Sequence, residues 1–279
     1  MEGWQKVWFF FKSLMLADYL ALFGLVLAAI PLFSQLSGLV AVVFAVYIYS
    51  LAIVLVAREI HYSRKSRYSE AIENLHACSH KLRDAADAIK GNNTALAFES
   101  IKESLIPFAA AFSLITGTHC RACIKSIVRE DKGYESNPDI STETFCRSEQ
   151  STKADANKKA LIRNNSDFVD LFSYKKTSYF SNDLSKDNPY LNSNWPADSE
   201  ERKKFIKHNE YPYISTIVWP IRSRTGDGDP LVIAFLCVDS KIRNIFDRRY
   251  DIEMGAIIAD TLYTILTEYR DKIILNSSL

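Results

Sequence analysis

The hydrophobic and polar positions divide the chain into an apolar beginning and a polar, mixed-charge remainder. Two apolar stretches cover residues 14–33 and 39–57, and they hold a single charge, Asp18, near one end of the first. A membrane-spanning helix needs about 20 largely apolar residues, and a charge near its end can reach the lipid headgroups. The pattern predicts two transmembrane helices joined by a turn at residues 34–38.

Basic side chains flank this predicted hairpin on both outer sides. Lys6 and Lys12 precede it, Arg58 and Arg64 follow it, and the turn between the helices has no charge. Because positive residues collect on the cytoplasmic side of a membrane, the pattern predicts a multi-pass protein of the cell inner membrane with both termini in the cytoplasm. Residues 1–57 would then form an interfacial segment and the hairpin, with membrane lipid as a partner. A cleaved signal peptide is the competing interpretation, which the second apolar stretch disfavours.

Beyond the apolar part, the hydrophobic positions keep a helical repeat. Steps of three and four residues connect Tyr68, Ile72, Leu75, Ser79, Leu82, Ala86 and Ile89. This spacing predicts a helical linker over residues 58–92 that either pairs with a second copy or packs against its own domain. On the first alternative we expect a homodimer or a higher homo-oligomer. A second helix is predicted from the same spacing of Phe98, Ile101, Leu105, Phe108, Phe112 and Ile115, with a kink at Pro107.

From about residue 119 the hydrophobic period changes to two, which is typical of strands. Strands are predicted near residues 121–128, 142–147, 215–221 and 231–239, and a turn is predicted at 225–230. A long loop rich in aromatic and Asn residues occupies positions 173–213, and a closing helix follows residue 251. Residues 93–279 are therefore predicted to form an α+β domain with an antiparallel sheet and flanking helices.

Composition narrows the classes of function. The chain is 48% hydrophobic and 24% charged with a net charge of +1, which excludes a disordered chain and a basic coat protein for nucleic acid. We therefore expect no nucleic acid polymer as a partner. Five cysteines are an odd and sparse set, unlike the disulfide framework of a small secreted protein, and they favour reduced thiols.

The end of the domain resembles a known family. The run STIVWPI at residues 215–221, the run LVIAFLCVDS at 231–240, and Phe246 before the closing helix look like the C-terminal half of a GAF domain. The resemblance covers residues 95–270. It implies an antiparallel sheet of about six strands with helices on one face, and a ligand pocket on the other face under the long middle loop.

The resemblance leaves the ligand open, because GAF domains bind cyclic nucleotides, tetrapyrroles, small metabolites or nothing. Members that bind cyclic nucleotides carry Asn-Lys and then a Phe followed four residues later by Asp-Glu. Here Asn157 and Lys158 are present, but Phe172 and Ser173 occupy that spacing after Phe168. The signature is broken, so it does not predict binding of a cyclic nucleotide, and the cysteine that holds a bilin has no counterpart.

Aromatic faces and a few polar groups suit a flat polar ligand. The candidate ligand-binding residues are Arg121, Asn165, Asp167, Tyr179, Asn194, Trp195, Tyr213 and Trp219. The alternative is a tyrosine-rich loop that packs over its own sheet.

Cysteine chemistry is a second possibility. Cys120 and Cys123 form a CxxC pair beside His119, with Cys146 on the next predicted strand, which invites a redox or metal interpretation. Strand residues three apart face opposite sides, which disfavours joint ligation. The sequence contains no HExxH, nucleophile elbow or phosphate-binding glycine loop, so neither an enzyme, nor a cofactor, nor a metal site is expected.

Together these features predict a membrane-anchored GAF-like sensor that binds a small cytosolic ligand, with a nucleotide second messenger as one option. It would signal through its membrane hairpin, in a layout similar to short bacterial defence effectors that disrupt membranes. An anchored regulatory module acting on a protein partner and a redox sensor using the CxxC pair are the alternatives.

Overall fold

Helices and one antiparallel sheet make up the described part of the chain. The computed structural model describes residues 38–128, 140–149, 159–186, 190–193, 198, 200–201, 204, 207, 212–223 and 231–277. Several sequence predictions lie outside these residues: the first apolar stretch 14–33, most of the turn that follows it, Asn157, Lys158, and the turn at 225–230. Residues Arg67–Leu279 form one compact unit, and Met1–Ser66 form another.

Two helices precede the sheet. Helix α1 spans Gly38–Lys90 and helix α2 spans Thr94–Thr116. The side chain of Asn93 accepts a hydrogen bond from the backbone N–H of Leu96 at 3.0 Å, which satisfies one of the free donors at the start of α2. Helix α2 ends at Gly117, whose φ of 66° is the left-handed conformation that glycine adopts at low cost. Pro107 lies inside α2 without ending it.

The predicted membrane location requires a correction. A bilayer crossing needs a helix with about 20 consecutive, largely apolar residues. Among the residues that the structure describes, no helix is long and apolar enough for such a crossing. The prediction of a multi-pass inner-membrane protein is therefore wrong by this test, and the transmembrane hairpin has no support. The domain boundaries 1–57, 58–92 and 93–279 stay a prediction.

The sheet has six strands, all of which pair antiparallel. Their bounds are β1 Arg121–Val128, β2 Ser141–Arg147, β3 Ala160–Leu161, β4 Tyr179–Ser181, β5 Ser215–Arg222 and β6 Val232–Ser240. The spatial order is β3-β2-β1-β6-β5-β4. The longer predicted strands are confirmed within a residue or two. The short strands β3 and β4 were missed, because two or three residues are too few to show a period of two.

A further helical part lies between β3 and β4, and a long helix closes the chain. A 3-10 turn at Ile162–Asn164 leads into helix α3, Ser166–Phe172. Helix α4 spans Asp251–Ser277. The carboxylate of Asp251 accepts hydrogen bonds from the backbone N–H of Asp247 at 2.7 Å and from the hydroxyl of Tyr68 at 2.9 Å. This buried carboxylate joins α1 to the start of α4, where negative charge favours a helix.

One face of the sheet packs against helices α1, α2 and α4, and we call it the helix-side face. Trp219 of β5 lies at its centre, 6.0 Å from the ring of Phe112 and 6.3 Å from that of Phe108 between centroids. The indole N–H donates to the backbone oxygen of Ile252 at 2.8 Å. Gly255 lies against the same indole, and a Cβ there would stand 2.1 Å from a ring carbon. This side forms the larger core.

The helical repeat of the predicted linker contributes to this core. Cys78, Leu82 and Ile89 of α1 are at most 1% exposed and belong to the helix-side core. Ile72, which the repeat also includes, is 63% exposed. The repeat therefore supports packing within the domain, which was one of its two alternatives. A homo-oligomer stays a prediction.

Candidate ligand-binding site

The alternation of side chains along β1 separates two environments. Ala122 and Ile124 belong to the helix-side core, whereas Cys123 packs with a second core on the opposite face. We call this opposite surface the loop-side face. Because neighbouring residues of a strand point to opposite faces and β1 keeps regular register with β6, Arg121 and Lys125 share the side of Cys123.

Helix α3 and the segments around β4 cover the loop-side face. Phe168 of α3 stacks on Phe235 of β6 with ring centroids 4.5 Å apart and an interplanar angle of 13°. Leu171 and Tyr179 are buried in the same core, and Lys176 lies over the ring of Tyr179 at 5.3 Å. This cover shields polar groups of the sheet and of the loop from bulk water.

A network of four polar side chains, three of them buried and Tyr213 partly buried, lies in this cover, and we call it the polar network. The amide nitrogen of Asn192 donates to the hydroxyls of Tyr190 and Tyr213, both at 2.8 Å. The Tyr190 hydroxyl donates in turn to Oδ2 of Asp167 at 3.4 Å. The backbone N–H of Phe168 donates to the other carboxylate oxygen at 3.0 Å. Two phenols, an amide and a carboxyl group thus meet beneath one loop.

Burial changes the protonation of this network. Asp167 is 2% exposed, and its removal from water raises its pKa to about 7. Burial, with the charge of Asp167 nearby, also raises the pKa of both Tyr190 and Tyr213 well above 10. At neutral pH the phenols are hydrogen-bond donors, while the carboxyl group of Asp167 is divided between its protonated and charged forms. It can therefore donate or accept a hydrogen bond.

An ion pair borders the network at the ends of β1 and β6. Arg121 donates to Oδ1 of Asp239 through Nε at 3.0 Å and through Nη2 at 2.6 Å, and Nη2 also reaches the backbone oxygen of Pro212 at 2.7 Å. Burial raises the pKa of Asp239, and the guanidinium group opposes that rise. The pair ties the loop before β5 to the sheet.

Two thiols and two further cations lie along the middle of the loop-side face. Cys123 of β1 stands directly opposite Cys237 of β6. On its other side Cys123 is paired with Arg147 of β2. Lys125 Nζ and Arg147 Nη2 donate to the same hydroxyl, Thr144 Oγ1, at 2.6 and 3.2 Å. Within the described residues the buried Nε of Arg147 has no hydrogen-bond partner.

Of the predicted ligand-binding residues, three lie in or beside the polar network. Asp167 and Tyr213 belong to the polar network, and Arg121 borders it. Tyr179 lies in the loop-side core. Asn165 is 1% exposed, and its side chain bonds the backbone oxygen of Leu161 at 2.8 Å and the N–H of Ser193 at 3.1 Å, which is a structural role.

The remaining predicted residues do not join this site. Trp219 lies on the helix-side face, where its indole N–H is already bonded to Ile252. A strand residue of that parity cannot reach the loop-side face without a shift of register. Asn194 and Trp195 lie outside the described residues.

The CxxC pair is likewise divided between the two faces. Cys120 lies in the helix-side core, where burial raises its pKa to about 11, and Cys123 lies on the loop-side face. The redox pairing of Cys120 with Cys123 therefore requires correction, because the sheet lies between the two thiols. In the described part of the chain, no three His, Cys, Asp or Glu side chains are arranged to hold a metal ion.

Sequence analysis missed several residues of the site. Lys125, Arg147, Tyr190, Cys237 and Asp239 were not predicted to take part. Alternation along β1 could have placed Lys125 beside Cys123. The strand β6 is separated from β1 by more than 100 residues, so no local pattern shows that Cys237 faces Cys123.

Solved structures with a similar architecture belong to several kinds of protein. No protein-family model matches the chain, and no curated protein shows significant similarity to it. The GAF domain region of a putative membrane protein from Geobacter sulfurreducens is 17% identical, with a TM-score of 0.41 over 63% of this chain and 96% of that one. The GAF domain of an Acinetobacter phosphoenolpyruvate-protein phosphotransferase is 10% identical, with a TM-score of 0.42 over 70% and 96%.

One of the solved structures with similar values is an enzyme. A type II free methionine-R-sulfoxide reductase from Thermoplasma acidophilum is 14% identical, with a TM-score of 0.40 over 62% of this chain and 96% of that one. At these values the comparisons carry no argument about activity or ligand. The expected absence of catalysis stays a prediction.

The described domain has a GAF-like fold. Its six antiparallel strands, with helices on one face and a loop-covered polar site on the other, agree with what the GAF resemblance implies.

Proposed function

We propose that the loop-side face of this GAF-like domain binds a small polar molecule with an anionic group, and that the protein acts as a ligand sensor. The observation that carries the proposal is the concentration of buried polar groups on one face of the sheet. The polar network of Asp167, Tyr190, Asn192 and Tyr213 lies on the same side as the cations of β1 and β2.

Packing alone does not require these groups. An amide or hydroxyl moved from water into an apolar surrounding costs roughly 2–7 kcal/mol unless it is hydrogen-bonded. The helix-side face of the same strands is covered by apolar side chains, so this sheet can be buried without such a network. Pockets for small molecules combine apolar walls with a few placed polar groups, and this combination is found on the loop-side face.

The charges indicate what kind of ligand would fit. The Nζ of Lys125 carries three donors, and its bond to Thr144 uses one of them. The Nε of Arg147 is buried without a partner among the described residues. An anionic group near these two side chains would receive charge-assisted hydrogen bonds, which are about twice as strong as neutral ones.

The polar network would recognise the neutral part of the ligand. Asp167 can donate or accept near neutral pH, and the phenols and the amide of Asn192 offer both kinds of group. A heterocyclic base carries donors and acceptors on one edge, and its phosphate carries the negative charge. Nucleotide second messengers are therefore the first class of ligand to test, with a partner protein receiving the signal.

Thermal unfolding of the full chain tests this proposal. We would measure Tm with cyclic mono-, di- and oligonucleotides, with small carboxylates and with inorganic phosphate. A ligand at 100 times its Kd adds about 2.7 kcal/mol of stability, which corresponds to several degrees for a domain of this size.

Matched variants locate the binding. Lys125→Met removes a cation of the site, whereas Lys241→Met removes an exposed lysine. We expect the ligand-induced shift of Tm to be lost in the first variant and kept in the second. A ligand whose shift is equal in both variants binds elsewhere, and the absence of any shift across the panel would overturn the proposal.

A further inference from the structure

The two thiols of the loop-side face are placed to react with each other. Cys123 and Cys237 are direct partners on neighbouring antiparallel strands. Residues in such positions have Cα atoms roughly 4.5–5.5 Å apart, which lies within the range of about 4.4–6.8 Å that disulfides occupy. The side chain of Cys237 influences the pKa of Cys123, so the two thiols are close neighbours on this face.

The surroundings of this pair favour one thiolate. The hydrogen bond from Cys237, with support from the charges of Lys125 and Arg147, lowers the pKa of Cys123 to about 7 despite burial. The bond to Cys123 and burial raise the pKa of Cys237 well above 9. The charged or titratable groups that face the pair are Arg121 and Lys125 of β1, Arg147 of β2, Asp239 of β6, Asp167 of α3 and Tyr213.

The other three cysteines differ from Cys123. Burial raises the pKa of Cys78 to about 12 and that of Cys120 to about 11, and it also raises the pKa of Cys146. All three lie in the helix-side core. Because the thiolate is the reactive form of cysteine, these residues are poor nucleophiles.

We propose that Cys123 and Cys237 form an oxidation site, in which a hydroperoxide converts the two opposed thiols into a disulfide across β1 and β6. The Cys123 thiolate attacks the terminal peroxide oxygen, the O–O bond breaks, and the leaving alkoxide or hydroxide takes up a proton. Cys123 is then a sulfenic acid. The sulfur of Cys237 attacks the Cys123 sulfur, the S–O bond breaks, and water leaves with the Cys237 proton. The dithiol loses two electrons, and the peroxide is reduced to an alcohol or water and one further water.

The proposed oxidation does not require the proposed ligand. The Cys120–Cys123 pairing suggested by the sequence is replaced by a pair that no local spacing reveals. Oxidation would remove the negative thiolate that neighbours Lys125 and Arg147 on the loop-side face, so the redox state and the binding of an anion would influence each other. Failure of one proposal leaves the other intact, because their measurements share no readout.

Mass mapping on the reduced full chain tests the inference without any variant. The protein is treated with hydrogen peroxide, its free thiols are alkylated, and its peptides are analysed. We expect an early disulfide between the peptides of Cys123 and Cys237, with Cys78, Cys120 and Cys146 still alkylated. We also expect the rate to rise about tenfold between pH 6 and pH 8, following the thiolate fraction of a group with a pKa of about 7.

Two variants separate the roles of the thiols. Cys237→Ser should leave Cys123 as a sulfenic acid that dimedone traps, and Cys120→Ser should form the disulfide at the native rate. Earlier oxidation of Cys78, Cys120 or Cys146, or a Cys123 thiol that survives peroxide as long as these three, would overturn the proposal. So would a rate that does not change with pH.

Discussion

The helix-side face of the sheet buries aromatic and aliphatic side chains. The loop-side face has a smaller apolar core, and beside it lie carboxyl groups, phenols, cations and two thiols that are buried or partly buried. The same strands supply both faces. On β5, Trp219 packs against two phenylalanines of α2, and on β6, Cys237 and Asp239 meet Cys123 and Arg121 across the strand pair.

The difference indicates how the domain divides its tasks. An apolar face gains stability from removal of surface from water, and it can tolerate little change of volume. Buried polar groups cost stability unless each finds a partner. The helix-side face therefore contributes the larger apolar core, and the loop-side face holds the groups on which the proposed binding and oxidation depend.

The largest expected effect comes from a cavity in the helix-side core. Phe112 is fully buried and contacts the rings of Phe108, Trp219 and Phe246. Phe112→Ala should lower the free energy of unfolding by about 3–5 kcal/mol, because the lost transfer energy adds to the cost of a cavity. Urea unfolding measures the change. Leu114→Ala, on the exposed side of the same helix, should change it by less than about 1 kcal/mol. Equal losses would contradict the assignment of Phe112 to the core.

The second prediction concerns a substitution that adds an atom to the same tightly packed face. Gly255→Ala should lower the free energy of unfolding by about 2–3 kcal/mol, because the new Cβ would overlap the indole of Trp219 at 2.1 Å. Gly91→Ala is the matched control, since its Cβ would meet only backbone oxygens at 3.5 Å. Equilibrium unfolding of both variants checks the contrast. A native-like stability of Gly255→Ala would show that the indole does not lie against this glycine.

The third prediction concerns the ion pair on the loop-side face. Arg121→Met leaves the carboxylate of Asp239 without its charged partner, and we expect a loss of about 2 kcal/mol, since this pair is only partly buried. The double variant Arg121→Met with Asp239→Leu should recover part of that loss, because no uncompensated charge remains. Unfolding free energies of the single and double variants form the test. A double variant less stable than Arg121→Met would contradict it.

The fourth prediction depends on pH. Folding raises the pKa of Asp167 from an ordinary value of 3.8 to about 7, so the folded state holds a proton that the unfolded state releases. Stability from this group is present below about pH 4 and declines as the pH rises to about 7. Relative to the native protein, Asp167→Asn should therefore gain stability by about 1 kcal/mol or more across that interval.

Urea unfolding at about pH 4, 5.5 and 7 measures this trend. Asp170→Asn is the control, because Asp170 lies on the same helix and pairs at the surface with Lys176 at 2.7 Å. A difference between Asp167→Asn and the native protein that stays constant with pH would show that the carboxyl group keeps its ordinary affinity for protons.

Much of the secondary structure follows from local pattern. The hydrophobic residues of helix α2 recur every three to four positions. Asn93 caps its N-terminus and Gly117 caps its C-terminus, as their residue types predict. The runs that form β5 and β6 are long enough to identify without any knowledge of the sheet. The apolar residues before Arg58 also form a clear pattern. The membrane location inferred from them is contradicted, because no helix among the described residues is long and apolar enough to cross a bilayer. Hydrophobic composition alone does not establish where a segment lies.

The site could be predicted only in part. Asp167 and Tyr213, which the structure places in the polar network, were predicted from the polar and aromatic residues in and just before the middle loop. Trp219 was predicted to contact the ligand because it is aromatic. Its position along β5 instead points its side chain to the helix-side core. Cys120 and Cys123 attracted notice by their spacing, whereas the partner of Cys123 is Cys237 on a distant strand.

The sequence by itself determined the longer helices and the longer strands, because these depend on intervals of two to four residues within one segment. Only the tertiary structure decided which thiols, cations and carboxyl groups meet. That outcome depends on the order β3-β2-β1-β6-β5-β4 and on the register between strands far apart in the chain. A shift of one residue in that register would exchange the two faces of the shifted strand.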